Sequence, residues 1–199
     1  MLTLYHATQS RSTRFLWLLE ELGADYKIVY SSITRQDGSS GPDDGNPHPD
    51  KKVPALVHDG ALITESSAIA LYLTDLFPKA GIGPQVGDPL RGEYLSWLAY
   101  YSGVIEPVVN FQFAGLGDNA VLRRTFRGTT EMHQRLVTAL EKSPYLLGEK
   151  FSAVDILLAS LGAFARQTLP AGEPVDSYLN RCADRPARTA GLAKDAPPK

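Results

Sequence analysis

Nine residues, His6-Ala7-Thr8-Gln9-Ser10-Arg11-Ser12-Thr13-Arg14, separate the short alternating run LTLY from the strongly apolar run FLWLLEEL. They bring hydroxyls and two arginines to the point where a helix must start. A helix N-terminus carries unsatisfied N–H groups and a partial positive charge, so polar donors gathered there suit an anion. Plainer readings exist for individual residues: Ser12 as the helix N-cap, and Arg11 and Arg14 as solvated or ion-paired surface residues. A second cluster, Glu65-Ser66 in ITESSAIALYL, sets a carboxylate beside a hydroxyl at another helix start. A third, Lys51-Lys52-Val53-Pro54, sets two cations before a proline that opens a strand. The histidines His6, His48, His58 and His133 have no metal-ligand spacing and are read as ordinary surface or strand residues, with no metal expected. Cys182 is the single cysteine, which excludes an internal disulfide and a CxxC redox pair.

Recognisable elements must position these clusters. Leu2 and Leu4 alternate with Thr3 and Tyr5 as in a strand, with Tyr5 packing within it, and Phe15, Leu18, Leu19 and Leu22 recur at helical spacing up to Gly23. YKIVY, residues 26–30, is a second strand, and PALVHDGALIT reads as two strands joined at Asp59-Gly60. A helix carrying Ile69, Tyr72, Leu73 and Leu76 follows and is closed by Pro78. The order is βαβ, an irregular segment, then ββα. Residues 35–50, rich in Gly, Pro, Ser and Asp, are expected to form a mobile loop.

Residues 78–89 have the composition of a linker, which gives a first domain at 1–77 and a second at 90–199. The second is expected to be all helical, with helices near 90–111, 118–142, 153–167, 175–183 and 186–194 and a frayed tail at 195–199. Apolar residues run almost all round 153–164, as in the central helix of a bundle. Ser152-Ala-Val-Asp155 reads as a capping box with a folding role. The aromatics Tyr94, Trp97, Tyr100, Tyr101, Phe111 and Phe113 lie at helical spacing, which core packing explains for most of them.

With 199 residues, 43% hydrophobic and 21% charged, the chain can bury a core. Its 20 basic and 22 acidic residues leave a formal net charge of -2, which argues against nucleic acid as the main partner. No apolar stretch is long enough for a membrane span, and the first helix carries Arg11, Arg14, Glu20 and Glu21, unlike a secretory signal. A cytoplasmic location is expected.

Four pieces in order, SRSTRFLWLLEELG, KKVPALVHDG, ITESSAIALYL and YLLGEKFSAVDILLAS followed by YLNRCADRPA, make the chain resemble the cytosolic glutathione transferases over nearly its whole length. The SRS before the first helix is most similar to a serine-type bacterial and fungal branch. The resemblance implies an α/β thioredoxin-like N-terminal domain that binds glutathione as cosubstrate, and an all-α C-terminal domain that helps form the cleft for a small hydrophobic electrophile. It also implies a homodimer and a detoxifying conjugation.

On this resemblance the Ser66 hydroxyl and the N–H groups beside it hold the γ-glutamyl carboxylate, and Glu65 pairs the ammonium. Pro54 is cis and turns the Val53 backbone toward the peptide of glutathione. Lys52, with Lys51 or His48 as alternatives, meets the glycine carboxylate; here Lys51 replaces the family's usual glycine. Ser10 lies at or next to the position whose hydroxyl donates to the glutathione sulfur, Ser12 is the second candidate, and Gln9 occupies the slot that some classes fill with serine. The thiolate is the nucleophile, and a free thiol with pKa near about 8.5 is mostly protonated at neutral pH. The missing catalytic cysteine argues against thiol-transferase and reductive branches. The alternative is a non-catalytic member of the same fold that serves as an interaction or regulatory module.

Overall fold

A computed structural model describes residues 1–35 and 37–198. Contacts divide the chain into two units, Met1–Ala80 together with Arg185–Lys199, and Gly81–Asp184. The first holds β1 (Leu2–His6), α1 (Thr13–Glu21), β2 (Tyr26–Tyr30), β3 (Ala55–His58), β4 (Ala61–Thr64) and α2 (Ser66–Leu76). Its sheet has the order β2-β1-β3-β4, with β2 parallel to β1 and the other pairs antiparallel. This is the thioredoxin-like arrangement. The hairpin between β3 and β4 turns at Asp59 and Gly60, whose φ values of 49° and 87° are the left-handed pair that a two-residue turn requires.

The last helix, α9 (Pro186–Leu192), belongs to this first unit, although the sequence assigns 186–194 to the helical domain 90–199. Gly191 explains the change: a Cβ there would lie 2.6 Å from the Trp17 backbone nitrogen and 2.8 Å from the Leu16 carbonyl carbon. The α9 backbone thus approaches that of α1 more closely than any side chain permits. Arg185 reinforces the pair, donating from Nη2 to Glu21 Oε2 at 2.7 Å, and Lys194 donates to Glu20. Phe15 through Leu19 are all buried, as expected of a helix covered on opposite sides. Gly191→Ala should lower stability by about 1–3 kcal/mol through overpacking against an unyielding backbone. A urea midpoint equal to that of the wild type would refute this.

The second unit contains α3 (Arg91–Tyr100), α4 (Glu106–Phe113), α5 (Ala120–Phe126), α6 (Thr129–Leu140), α7 (Ala153–Phe164) and α8 (Val175–Ala183). The helix expected over 90–111 is broken by a π turn at Tyr101–Ile105, just before Pro107 at the start of α4. Proline has no N–H to continue an α-helical ladder, and the wider turn accommodates the interruption. The helix expected over 118–142 breaks at Arg127, φ 65°, and Gly128, whose N–H donates to Glu131 Oε2 at 3.1 Å. That Gly-x-x-Glu start was overlooked in the sequence. The α7 helix runs through the middle of this unit with nine buried residues. At its start Asp155 reaches back to the Ser152 N–H at 2.8 Å, while the Ser152 hydroxyl donates to the same carboxylate at 2.8 Å. The Asp155 N–H also bonds the Ser152 carbonyl at 3.0 Å, within the capping box expected there. No helix among the described residues is long and apolar enough to cross a membrane.

Candidate active site

Register gathers the sequence clusters at one end of the sheet. Tyr5 near the end of β1 pairs with Ala55 at the start of β3, and Ala55 pairs with Thr64 at the end of β4. The turn after His6, the Val53-Pro54 peptide before β3, and Glu65-Ser66 after β4 therefore emerge side by side. Both α1 and α2 begin at this end, so two helix N-termini flank it.

The Val53-Pro54 bond is cis. Glu65 is exposed and has φ 67°, a left-handed value that is costly for a residue with a side chain and that clusters at ligand sites. It occupies the N-cap position of α2, where no side-chain capping bond is made among the described residues. Ser66, half-buried, is the first helical residue.

In the β1–α1 turn the two candidate serines have different surroundings. Ser10 is half-buried; its Oγ donates to the Ala7 carbonyl oxygen at 2.7 Å and lies 2.7 Å from Ser12 Oγ. Ser12 is 0% exposed. Its Oγ accepts the Ala7 N–H at 3.1 Å and lies 2.7 Å from Nδ1 of His6. Ser12 stands at the N-cap position of α1 yet makes no side-chain capping bond, contrary to the capping role read from the sequence. Gln9 has φ 52° and an exposed side chain; its N–H donates to Asp195 Oδ2 at 3.0 Å. Arg14 is buried, not a surface residue as expected.

His6, read as a surface or strand histidine, is the last residue of β1 and is 0% exposed, with its ring against the turn that follows. The signal was present: period-two alternation in β1 puts it on the core face with Leu2 and Leu4. Burial lowers its pKa, outweighing the bond to the Asp195 backbone and the charge of Asp195. Three further residues escaped the sequence altogether. Arg35 donates from Nη2 to the Thr8 carbonyl at 2.5 Å, Thr13 donates to Asp195 Oδ1 at 2.5 Å, and the Asp195 carbonyl faces His6 Nε2 at 2.9 Å. The segment expected to fray thus anchors the turn through Asp195.

Residues 46–52, at the end of the expected loop, are held by polar contacts of their own. Asn46, 0% exposed, donates to the Lys52 carbonyl at 2.9 Å and accepts the His48 N–H at 3.0 Å. His48 is buried and its Nδ1 accepts the Asp50 N–H at 3.0 Å. Lys51 turns inward and donates to the Asn46 carbonyl at 2.9 Å. Lys52 points outward, 73% exposed, with Asp50 at 3.9 Å.

Known proteins show what this arrangement resembles. A family description for the N-terminal domain of glutathione S-transferases matches residues 1–75. Glutathione S-transferase 3 of Schizosaccharomyces pombe is 31% identical, the alignment covering 87% of this chain and 71% of that one. A disulfide-bond oxidoreductase of Escherichia coli is 28% identical over 98% of this chain and 95% of its own. Among solved structures, a sphingomonad glutathione S-transferase complexed with glutathione is 26% identical with TM-score 0.79, covering 97% of this chain and 98% of its own. A glutathione transferase of Methylococcus capsulatus, 25% identical, also has TM-score 0.79, with 98% of each chain covered.

Proposed function

The chain belongs to the glutathione transferase family, with glutathione as cosubstrate, and from this premise we propose that Ser10 activates the glutathione thiol for attack on a hydrophobic electrophile. The observation that carries the reading is the meeting of three clusters at one sheet end. There Glu65 pairs the γ-glutamyl ammonium and the α2 N-terminus with Ser66 receives the carboxylate beside it. The Val53 backbone, turned by the cis bond to Pro54, hydrogen-bonds the cysteinyl peptide as a strand edge does. Lys52, the outward cation, meets the glycine carboxylate, with the exposed Gln9 side chain at the rim. Burial of Ser12 and part exposure of Ser10 support Ser10 as the donor to sulfur and Ser12 as its support. Catalysis then rests on a stabilised thiolate and on proximity. A homodimer that acts in the cytoplasm in detoxification completes the proposal.

One finding favours a second reaction at the same site, since a relative aligned over 98% of the chain is named a disulfide-bond oxidoreductase. Glutathione thiolate can attack a substrate disulfide, releasing one thiol and forming a mixed disulfide; a second glutathione then releases the other thiol and leaves as oxidised glutathione. Because that sequence needs no protein thiol, the absence of a catalytic cysteine does not exclude it, and the single cysteine, Cys182, is buried.

Calorimetry with glutathione tests the binding half of the reading. The wild type is expected to bind, and Glu65→Ala to bind about ten- to hundredfold more weakly, the worth of a hydrogen bond to a charged group. Equal affinity in the variant would remove Glu65 from the site, and no binding by the wild type would leave the interaction-module alternative. Turnover of an aryl halide against that of a small dialkyl disulfide then separates conjugation from reduction.

A further inference from the structure

We propose that Asp195 is a positioning residue for thiol activation, joined to Ser10 by two hydrogen-bonded routes that converge on the β1–α1 turn. The inference rests on the reading of Ser10 as the donor to sulfur. The first route runs through side chains. The Asp195 carbonyl can only accept, so the His6 Nε2 at 2.9 Å must carry the ring hydrogen. The buried ring stays neutral, which leaves Nδ1 as an acceptor, and the Ser12 hydroxyl at 2.7 Å donates to it. With its hydrogen committed to His6, Ser12 cannot donate to Ser10 and presents only a lone pair at 2.7 Å. The Ser10 hydroxyl, held between that lone pair and the Ala7 carbonyl at 2.7 Å, keeps its hydrogen available to turn toward a sulfur anion.

The second route runs through the carboxylate. Oδ2 accepts the Gln9 N–H at 3.0 Å, holding the left-handed residue that starts the turn. Oδ1 accepts the Thr13 hydroxyl at 2.5 Å, and Thr13 Oγ1 in turn accepts the Ser10 N–H at 3.3 Å. Asp195 is itself held from the sheet edge, since the Tyr30 hydroxyl donates to the carbonyls of Lys194 and Ala196 at 2.9 and 3.1 Å. Its side chain, 17% exposed, fastens to the turn the same residue whose carbonyl selects the His6 tautomer. Without the carboxylate, carbonyl and turn drift together, and a hydrogen bond from Ser10 to sulfur weakens steeply with lost alignment.

The test is the thiol pKa of enzyme-bound glutathione, followed by thiolate absorbance, in the wild type, Ser10→Ala, Asp195→Ala and Asp195→Asn. Asp195→Ala should raise that pKa by about half a unit or more, part of the shift a lost donor bond produces. Affinity for S-methylglutathione, which has no thiol, should change by less than about threefold, a span worth well under the tenfold step of 1.4 kcal/mol. Asp195→Asn should restore most of the shift, its amide accepting from Gln9 and donating to a reoriented Thr13 hydroxyl. A lowered melting temperature in Asp195→Ala with an unchanged thiol pKa makes the residue merely structural and overturns the proposal. Should Asp195→Ala not fold, Thr13→Val carries the same test, and a wild-type pKa in it overturns the proposal. A wild type without a depressed pKa sinks the Ser10 reading itself; a depressed wild type raised by Ser10→Ala but untouched by Asp195→Ala sinks this inference alone.

Discussion

Glutathione bound to Ser10→Ala is expected to titrate about one to two pKa units higher than on the wild type, with its affinity nearly unchanged. A hydrogen bond to a charged acceptor is worth about 1.5–3 kcal/mol, and a pKa unit corresponds to about 1.4 kcal/mol. If the Ser10 bond is made to the thiolate and not to the thiol, its whole worth appears in the pKa. The N-terminus of α1 acts in the same direction and remains in the variant, so some depression should persist. Near neutral pH the reactive thiolate fraction then falls by about tenfold or more, and turnover of an electrophile falls with it. The deletion also leaves the Ala7 carbonyl without the Ser10 donor, which costs stability without touching the γ-glutamyl site. Turnover and thiol pKa both equal to wild type in Ser10→Ala would reject the serine mechanism. Ser12→Ala should behave differently, because its Oγ holds the Ala7 N–H and His6 at the base of the turn. Its expected signature is reduced stability together with a disturbed pKa.

Asp155→Ala carries the largest expected effect on stability. The carboxylate is fully buried and accepts from the Leu146 N–H at 3.0 Å, the Ser152 N–H and hydroxyl, each at 2.8 Å, and the Tyr178 hydroxyl at 3.1 Å. Burial pushes its pKa up and these donors pull it down, with the net shift upward. Truncation leaves several buried donors without their acceptor, and each costs about 1–3 kcal/mol. Partial relaxation makes the individual costs less than additive, so a loss of about 3–5 kcal/mol is expected. Against a typical total of about 5–15 kcal/mol, that brings the fold close to its limit. Chemical unfolding followed by far-ultraviolet circular dichroism measures the effect, and a loss below about 1 kcal/mol would show that the network relaxes around the gap. Asp155→Asn keeps the shape and one acceptor oxygen but turns an NH2 toward one set of donors, and should fall between.

Much of this protein was legible in the sequence, and the legible part was local. Alternation in LTLY, the turn at Asp59-Gly60 and helical spacing after Ser66 reflect backbone preferences and side-chain periodicity, which neighbouring residues decide among themselves. The Ser152–Asp155 pairing follows equally from a spacing of three residues. The order of elements and Glu65-Ser66 at a helix start required nothing more distant, whereas the candidacy of Ser10 came from the family resemblance. The breaks at Arg127-Gly128 and before Pro107 were local as well and were available in principle.

What the tertiary structure decided depends on residues far apart along the chain. Ser10 and Ser12 are the same residue type two positions apart, and only packing buries one and leaves the other half-open. Lys51 and Lys52 are neighbours, yet the Asp44 and Asn46 carbonyls of the folded loop draw Lys51 in while Lys52 stays exposed. His6 meets the Asp195 carbonyl across 189 positions, and α9 reaches α1 because a glycine allows two backbones to touch. Periodicity along a chain specifies which face is apolar; it carries no record of which distant group will come to rest against that face, since this is set by the shape of the assembled core.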